Sequence, residues 1–186
     1  MTFVFKTKAL KKAETLSIFF SENQDKTISL QDPRLSTPGL QFLFWWSQEG
    51  RDSQAFKKSK VQVSPSWSQA YGLFKREMAQ GVFTYLTSVV FHWEQEKDLN
   101  YDFLTVEAGH PYQVEFAGVS SRCDYCDVAE QFVEFLLEPE NQTLLMKKNY
   151  MLPVVVGVEK QGAFAKLPDL PLLNYKEMDQ FIENRK

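Results

Sequence analysis

The chain has 186 residues, 44% hydrophobic and 15% aromatic, which suits one domain or one domain with an appendage. Its net charge of -3 argues against a nucleic-acid protein, because backbone binding takes a basic surface. No apolar run reaches the length of a membrane-spanning helix.

The opening MTFVFKTKALKKAE puts its charges after the short apolar run and shows no small-residue cleavage site, so it does not read as a secretion signal. That expectation points to a cytosolic chain, or to a fragment or processed form. Residues 2–5 read as a short strand. Residues 13–21 read as a short helix with Leu16, Phe19 and Phe20 on its apolar face. A strand follows at 27–31, then the turn-rich DPRLSTPG. Thr37 before Pro38 is a good helix start, since proline tolerates the first helical position. That helix runs to about Gln48, and Trp45 and Trp46 cannot both face inward on it. Residues 50–59 are polar, a short surface helix or loop, and 60–63 form a strand.

The stretch SPSWSQAYGLFKREMAQGVFTYLTS, residues 64–88, organises the rest. Ser66 and Gln69 have the capping-box spacing, and Trp67, Ala70, Leu73 and Phe74 form an apolar helix face. Gly81 breaks the helix and 82–86 read as a buried strand. Thr87 and Ser88 are candidate caps for a helix at 89–97. Residues 100–106 and 112–119 are strand candidates, separated by a turn at Gly109, His110 and Pro111. Residues 126–137 form an amphipathic helix with an Asp127–Glu130 capping pair and a stripe of Ala129, Phe132, Val133, Leu136 and Leu137. Pro139 ends it and starts a helix at 140–148. Residues 151–156 are apolar, 160–173 irregular, and 175–184 a last helix. Strands alternate with helices, so the fold class is α/β, with a mainly parallel sheet flanked by helices.

Cys123 and Cys126 are the two cysteines. They read as a redox pair at a helix start, a local disulfide or two inert thiols. Zinc is poorly supported, because no second pair exists and neither His92 nor His110 stands at ligand spacing. No nucleophile–base pair and no phosphate-binding glycine loop is visible, so an enzyme ranks last and no cofactor is implied. His110 and Glu115 are near in sequence, but that alone is no mechanism.

In open α/β sheets ligands bind at the carboxyl ends of strands. Three strand-to-helix junctions here carry hydroxyls: Ser36 and Thr37, Ser64 and Ser66, Thr87 and Ser88. Trp67 and Tyr85 stand beside two of them. Together they suggest a shallow site for a flat ring and an anionic group. The competing reading is ordinary caps with core aromatics.

DPRLSTPG, SWSQAYGLF (66–74), TYLTS (84–88), the Gly109–His110 turn with the following Gln113-Val114-Glu115, and KNYMLPV (148–154) occur in order. In this the chain resembles the thiamine-binding periplasmic proteins, solute-binding subunits of bacterial ABC importers with the type II periplasmic binding protein fold. The resemblance covers most of residues 27–155. It implies a periplasmic protein that binds thiamine or thiamine phosphate between two lobes and hands it to an ABC permease. By position, Trp67, Tyr85 and Tyr150 become aromatic contacts, and Ser36, Thr37 and Ser88 polar ones. A cationic thiazolium suits aromatic faces. This chain departs from the pattern at Leu86 (for Thr), Val89 (for Pro), Phe91 (for Tyr), Lys148 (for Gly) and Tyr150 (for Trp), which makes the pocket less polar.

The same resemblance implies that the chain begins near the relatives' first crossing between lobes. Residues 1–112 would form one lobe and 113–186 a return segment with the C-terminal helices. The apolar stripe of 126–137 then lacks the sheet it packs on in the relatives. The expected remedy is folding back on the same lobe, or a homodimer that exchanges residues 113–150. A structural or interaction module derived from a binding protein is the alternative function.

Overall fold

In the computed structural model, which describes residues 1–49, 53–174, 176 and 183, five strands form one sheet in the order β3–β2–β4–β1–β5. They are β1 (Thr2–Lys6), β2 (Thr27–Gln31), β3 (Lys60–Ser64), β4 (Gly81–Thr84) and β5 (Tyr101–Phe103). β2 pairs in parallel with β3 and β4, while β1 is antiparallel to both β4 and β5. Four strands therefore run one way and β1 runs against them, an α/β sheet that is parallel through β3, β2 and β4.

Helices cover both faces, and strand alternation decides what each face buries. Phe3 and Phe5 of β1, Ile28 and Leu30 of β2 and Phe83 of β4 meet α1 (Leu16–Glu22), α2 (Thr37–Glu49) and α3 (Ser53–Lys58). This core is aromatic: Phe3 stacks on Phe19 with centroids 5.0 Å apart and lies edge-on to Phe20 at 5.7 Å. Trp45 is fully buried there, while Trp46 is half-buried and packs on Phe20 and Phe56, so the two tryptophans do diverge. On the other face Val4 and Val82 meet Ala70, Tyr71 and Phe74 of α4 (Trp67–Lys75), Val89 and Val90 of α5 (Ser88–Glu94) and Met146 of α7 (Pro139–Asn149).

Gly39 sets how closely α2 follows β2. A Cβ there would lie 2.5 Å from the Gln31 carbonyl oxygen and 2.7 Å from the Asp32 carbonyl carbon. Both neighbours are backbone, so only glycine fits the DPRLSTPG turn.

Ser66 is the N-cap of α4, as its spacing predicts, accepting the Gln69 N–H at 3.3 Å. Other expectations need correction. Residues 112–119 form no strand; they are irregular, and Phe116 is 89% exposed. Alternating apolar residues make a strand only where a sheet edge receives them, and this segment lies beyond β5 and past the isolated bridge of His110 to Leu172. β4 stops at Thr84, so Tyr85 and Leu86 fall in the turn beyond it. Thr87 precedes α5 with helical backbone angles and makes no capping bond. Asp127 is not a cap either: Tyr125 holds that position in α6 (Cys126–Leu137), and Asp127 lies in the first turn, where its charge favours the helix dipole. Residues 50–52 and nearly all of the expected helix at 175–184 lie outside the described residues.

α6 buries no residue; Val128, Phe132, Phe135 and Leu137 are each about half exposed or more. It is tied to α7 by Asn141 and Gln142, whose amides donate to the Phe135 and Leu136 carbonyls at 2.7 Å. These bonds satisfy carbonyls that a helix end leaves open.

Candidate ligand-binding site

Because β2, β3 and β4 are parallel, their carboxyl ends share one edge of the sheet. The turn after β3 delivers Trp67, and the turn after β4 delivers Tyr85 and Ser88. The end of α7 brings Tyr150 to the same edge, and the irregular segment beyond His110 brings Tyr112, Gln113 and Glu115. They enclose a cavity of about 610 Å³, which Tyr71, Lys75 and Phe91 also line. That volume suits a ligand of drug-like size.

One wall is a stack. Trp67 and Tyr71 are four residues apart on α4, so they share a helix face. Their ring centroids lie 4.9 Å apart with planes 17° from parallel, and Tyr85 stands 6.2 Å from Trp67. Opposite, Phe91 and Tyr150 meet edge to face at 5.4 Å. Lys75 places its ammonium 5.1 Å from the Phe91 centroid and pairs with Glu96 at 2.7 Å. Tyr85 donates to Gln113 Oε1 at 3.2 Å; burial first, and then the Glu115 charge, push its hydroxyl pKa up.

The polar atoms of the wall fall into two hydrogen-bonded groups. The Trp67 indole N–H donates to Thr84 Oγ1 at 2.8 Å, and Thr84 Oγ1 lies 3.0 Å from Ser88 Oγ. The Tyr71 oxygen lies 2.8 Å from His92 Nε2, and His92 Nδ1 lies 2.5 Å from Glu96 Oε2. Burial holds the Tyr71 pKa far above that of a free phenol. Burial also holds His92 below the usual imidazole range, against the opposing pull of Glu96.

Tyr150 is the unusual member. It ends α7 in the left-handed region, φ 52°, where a bulky side chain is disfavoured. Its hydroxyl is buried and has no hydrogen-bond partner. Strain and an orphaned polar atom at a cavity wall are together a functional signal.

The structure thus brings Trp67, Tyr85, Ser88 and Tyr150 into one cavity and leaves Ser36 and Thr37 out of it. Ser36 serves α2 through its carbonyl, which accepts the Leu40 N–H at 3.0 Å, and Thr37 is exposed. The β2 exit shares the sheet edge, but α2 turns to the opposite face. Sequence reading missed Tyr71, Lys75, Tyr112, Gln113 and Glu115. Tyr71 and Lys75 were findable from their i+4 and i+8 spacing to Trp67 on α4; Tyr112, Gln113 and Glu115 reach the cavity through tertiary folding alone.

His110 is no partner for Glu115. It is fully buried, its Nε2 accepts the Val106 N–H at 2.9 Å, and its Nδ1–H therefore donates to the Met1 carbonyl at 3.1 Å. Cys123 and Cys126 are joined in a disulfide, so they are not free thiols here. Among the described residues no three His, Cys, Asp or Glu side chains cluster to hold a metal.

The model for bacterial extracellular solute-binding proteins matches residues 36–172. The chain is 33% identical to the thiamine-binding periplasmic protein of Escherichia coli K12 over 171 residues, 89% of this chain and 52% of that protein. It is 36% identical to the Haemophilus influenzae thiamine-binding periplasmic protein over 143 residues, 73% of this chain and 42% of that one. It thus spans about half the length of these relatives. A solved periplasmic thiamin binding protein superposes with a TM-score of 0.79 at 31% identity, covering 98% of this chain and 60% of that one. A Bordetella ferric binding protein, 11% identical with a TM-score of 0.62 over 98% of this chain and 64% of that one, shares the fold alone. The match to the family model takes in well over half of the sequence, and the chain belongs to the bacterial extracellular solute-binding protein family.

Proposed function

We propose that the cavity binds a flat cationic heterocycle, thiamine or thiamine phosphate, without chemical conversion. The observation that supports this most is the convergence of Trp67, Tyr71, Tyr85, Phe91 and Tyr150 on one cavity at the carboxyl edge of the parallel strands. Aromatic faces attract a desolvated organic cation by about 0.5–2 kcal/mol each. Trp67, Tyr85, Ser88 and Tyr150 are the contacts; Ser36 and Thr37 drop out of the first layer. We take residues 1–112 as the binding lobe and 113–186 as the return segment, and an ABC permease as the partner wherever the transport role is kept. A thermal-shift titration with both compounds to about millimolar concentration tests the reading. A dose-dependent rise supports it, and no shift with either compound contradicts it.

A second reading is a homodimeric interaction module. The exposed apolar side of α6 favours it, since hiding each large side chain is worth about 1.5–3 kcal/mol. Exchange of residues 113–150 would also move Met146, which belongs to the same buried cluster as Val90 and Tyr71, onto the partner's lobe. Light scattering after size exclusion decides it: a dimer at micromolar concentration supports this module, and a monomer rejects it.

A further inference from the structure

The bridge between Cys123 and Cys126 adds little to the fold. Its ends are three residues apart in sequence, with Cα atoms 5.3 Å apart, so it closes a very short loop. Such a loop restricts the unfolded chain far less than a long one does. The bridge joins the turn before α6 to the first residue of α6, and that helix buries no side chain. Among the described residues, neither buried core includes a cysteine or any part of α6.

The same bridge is open to an incoming thiol. Both cysteines are only half-buried. Asp124 and Tyr125 between them are exposed, Tyr125 at 78%, and so are Arg122 before the pair and Asp127 and Val128 after it. Accessible disulfides that hold no core together are the ones that exchange with thiols.

The two sulfurs differ in what surrounds them. Cys126 is the first residue of α6, and the N-cap residue Tyr125 makes no side-chain bond to the open N–H groups there. A thiolate at that helix end is stabilised by those N–H groups and by the dipole. Cys123 lies outside the helix, in a turn where its own N–H donates to the Ser120 carbonyl at 3.3 Å. Arg122, Asp124 and Asp127 flank the pair as a whole in the sequence, so the helix end is what sets Cys126 apart.

We propose that Cys123 and Cys126 form a reversible redox site that exchanges two electrons with an external dithiol. A thiolate of the dithiol attacks Cys123 Sγ. The Cys123–Cys126 bond breaks, and its electron pair leaves with Cys126, at the helix end. The second thiolate of the dithiol then attacks its partner sulfur in the mixed disulfide, and Cys123 leaves in turn. The two cysteines take up the two protons that the dithiol lost. The dithiol is oxidised to its disulfide, the pair is reduced to two thiols, and the reverse sequence closes the bridge again. Reduction frees the start of α6, while Asn141 and Gln142 still hold its other end.

The test treats the whole folded, oxidised chain with about 1 mM dithiothreitol near neutral pH, traps thiols with iodoacetamide and counts them by mass spectrometry. Both thiols should appear together within minutes, with the near-ultraviolet circular dichroism unchanged. Cys126 should be alkylated about tenfold faster than Cys123. Amide hydrogen exchange should rise in the first turn of α6 and not in the sheet. Oxidised dithiothreitol should restore the bridge in the untrapped protein. A bridge that resists dithiothreitol until urea unfolds the chain is structural, and that result overturns the inference. So does Cys123 reacting as fast as Cys126, or a Cys123→Ser, Cys126→Ser double variant that melts more than about 10 °C below the oxidised wild type. The site does not rest on the ligand reading: a pair that cycles in a protein that binds no thiamine supports this inference and contradicts only that reading.

Discussion

Trp67 and Tyr71 lie one helical turn apart and stack face to face, so this part of the cavity wall is built from a single helix rather than from a loop. A wall on a capped helix is rigid, which limits the ordering cost when a ligand arrives. Trp67→Ala removes the outer ring and one of the two hydrogen bonds of the buried Thr84 hydroxyl, which keeps its bond to Ser88. We expect thiamine affinity to fall by about 1–2 kcal/mol, roughly tenfold, with Trp67→Phe recovering part of it. Fluorescence titration checks both, and unchanged affinity in the alanine variant contradicts the assignment.

Tyr150→Phe should not lower stability. The hydroxyl it removes is buried without a partner, and deleting such a group relieves a desolvation penalty of about 1–3 kcal/mol. Thermal melting without ligand should show an equal or higher midpoint. A clear fall would mean that the hydroxyl is satisfied in solution.

Gly39→Ala should destabilise by about 1–3 kcal/mol, because the added methyl meets backbone rather than a side chain that can swing away. Urea denaturation would report it as a lower midpoint. No change would mean that α2 sits further from β2 than described.

Stability should fall in mild acid through His110. Burial holds its pKa at about 4, against about 6.5 in the unfolded chain. The unfolded state therefore binds the proton first. Stability is fully present above about pH 6.5, drains away as pH falls toward about 4, and then levels off, a loss of about 3 kcal/mol in all. His92 is shifted the same way and adds to the slope. Denaturation across this range, compared with His110→Gln, checks it: the variant should lose part of the pH slope.

The helices were legible where capping and period agree. The Ser66 cap and the apolar face of α4 could be read directly; the bounds of α6 followed from its apolar period and Pro139, although its expected capping pair is absent. Residues 112–119 misled, since Tyr112, Val114 and Phe116 alternate like a strand while nothing in a local pattern says whether a sheet edge awaits them. The site divides the same way. Trp67, Tyr85 and Ser88 sit at strand exits, which sequence can locate. Gln113 and Glu115 reach the cavity because the chain passes over the sheet edge after His110, and no spacing records that. The left-handed backbone of Tyr150 was equally invisible, although its residue type was not.

The central claim is that this chain holds a binding site for a flat cation in its aromatic cavity. Isothermal titration calorimetry with thiamine, on the wild type and on the Trp67→Ala, Tyr85→Ala double variant, tests it most directly. The account predicts saturable one-site heat in the wild type and none in a double variant that keeps its circular dichroism. No heat in the wild type at about millimolar thiamine, or equal heat in both proteins, would contradict it.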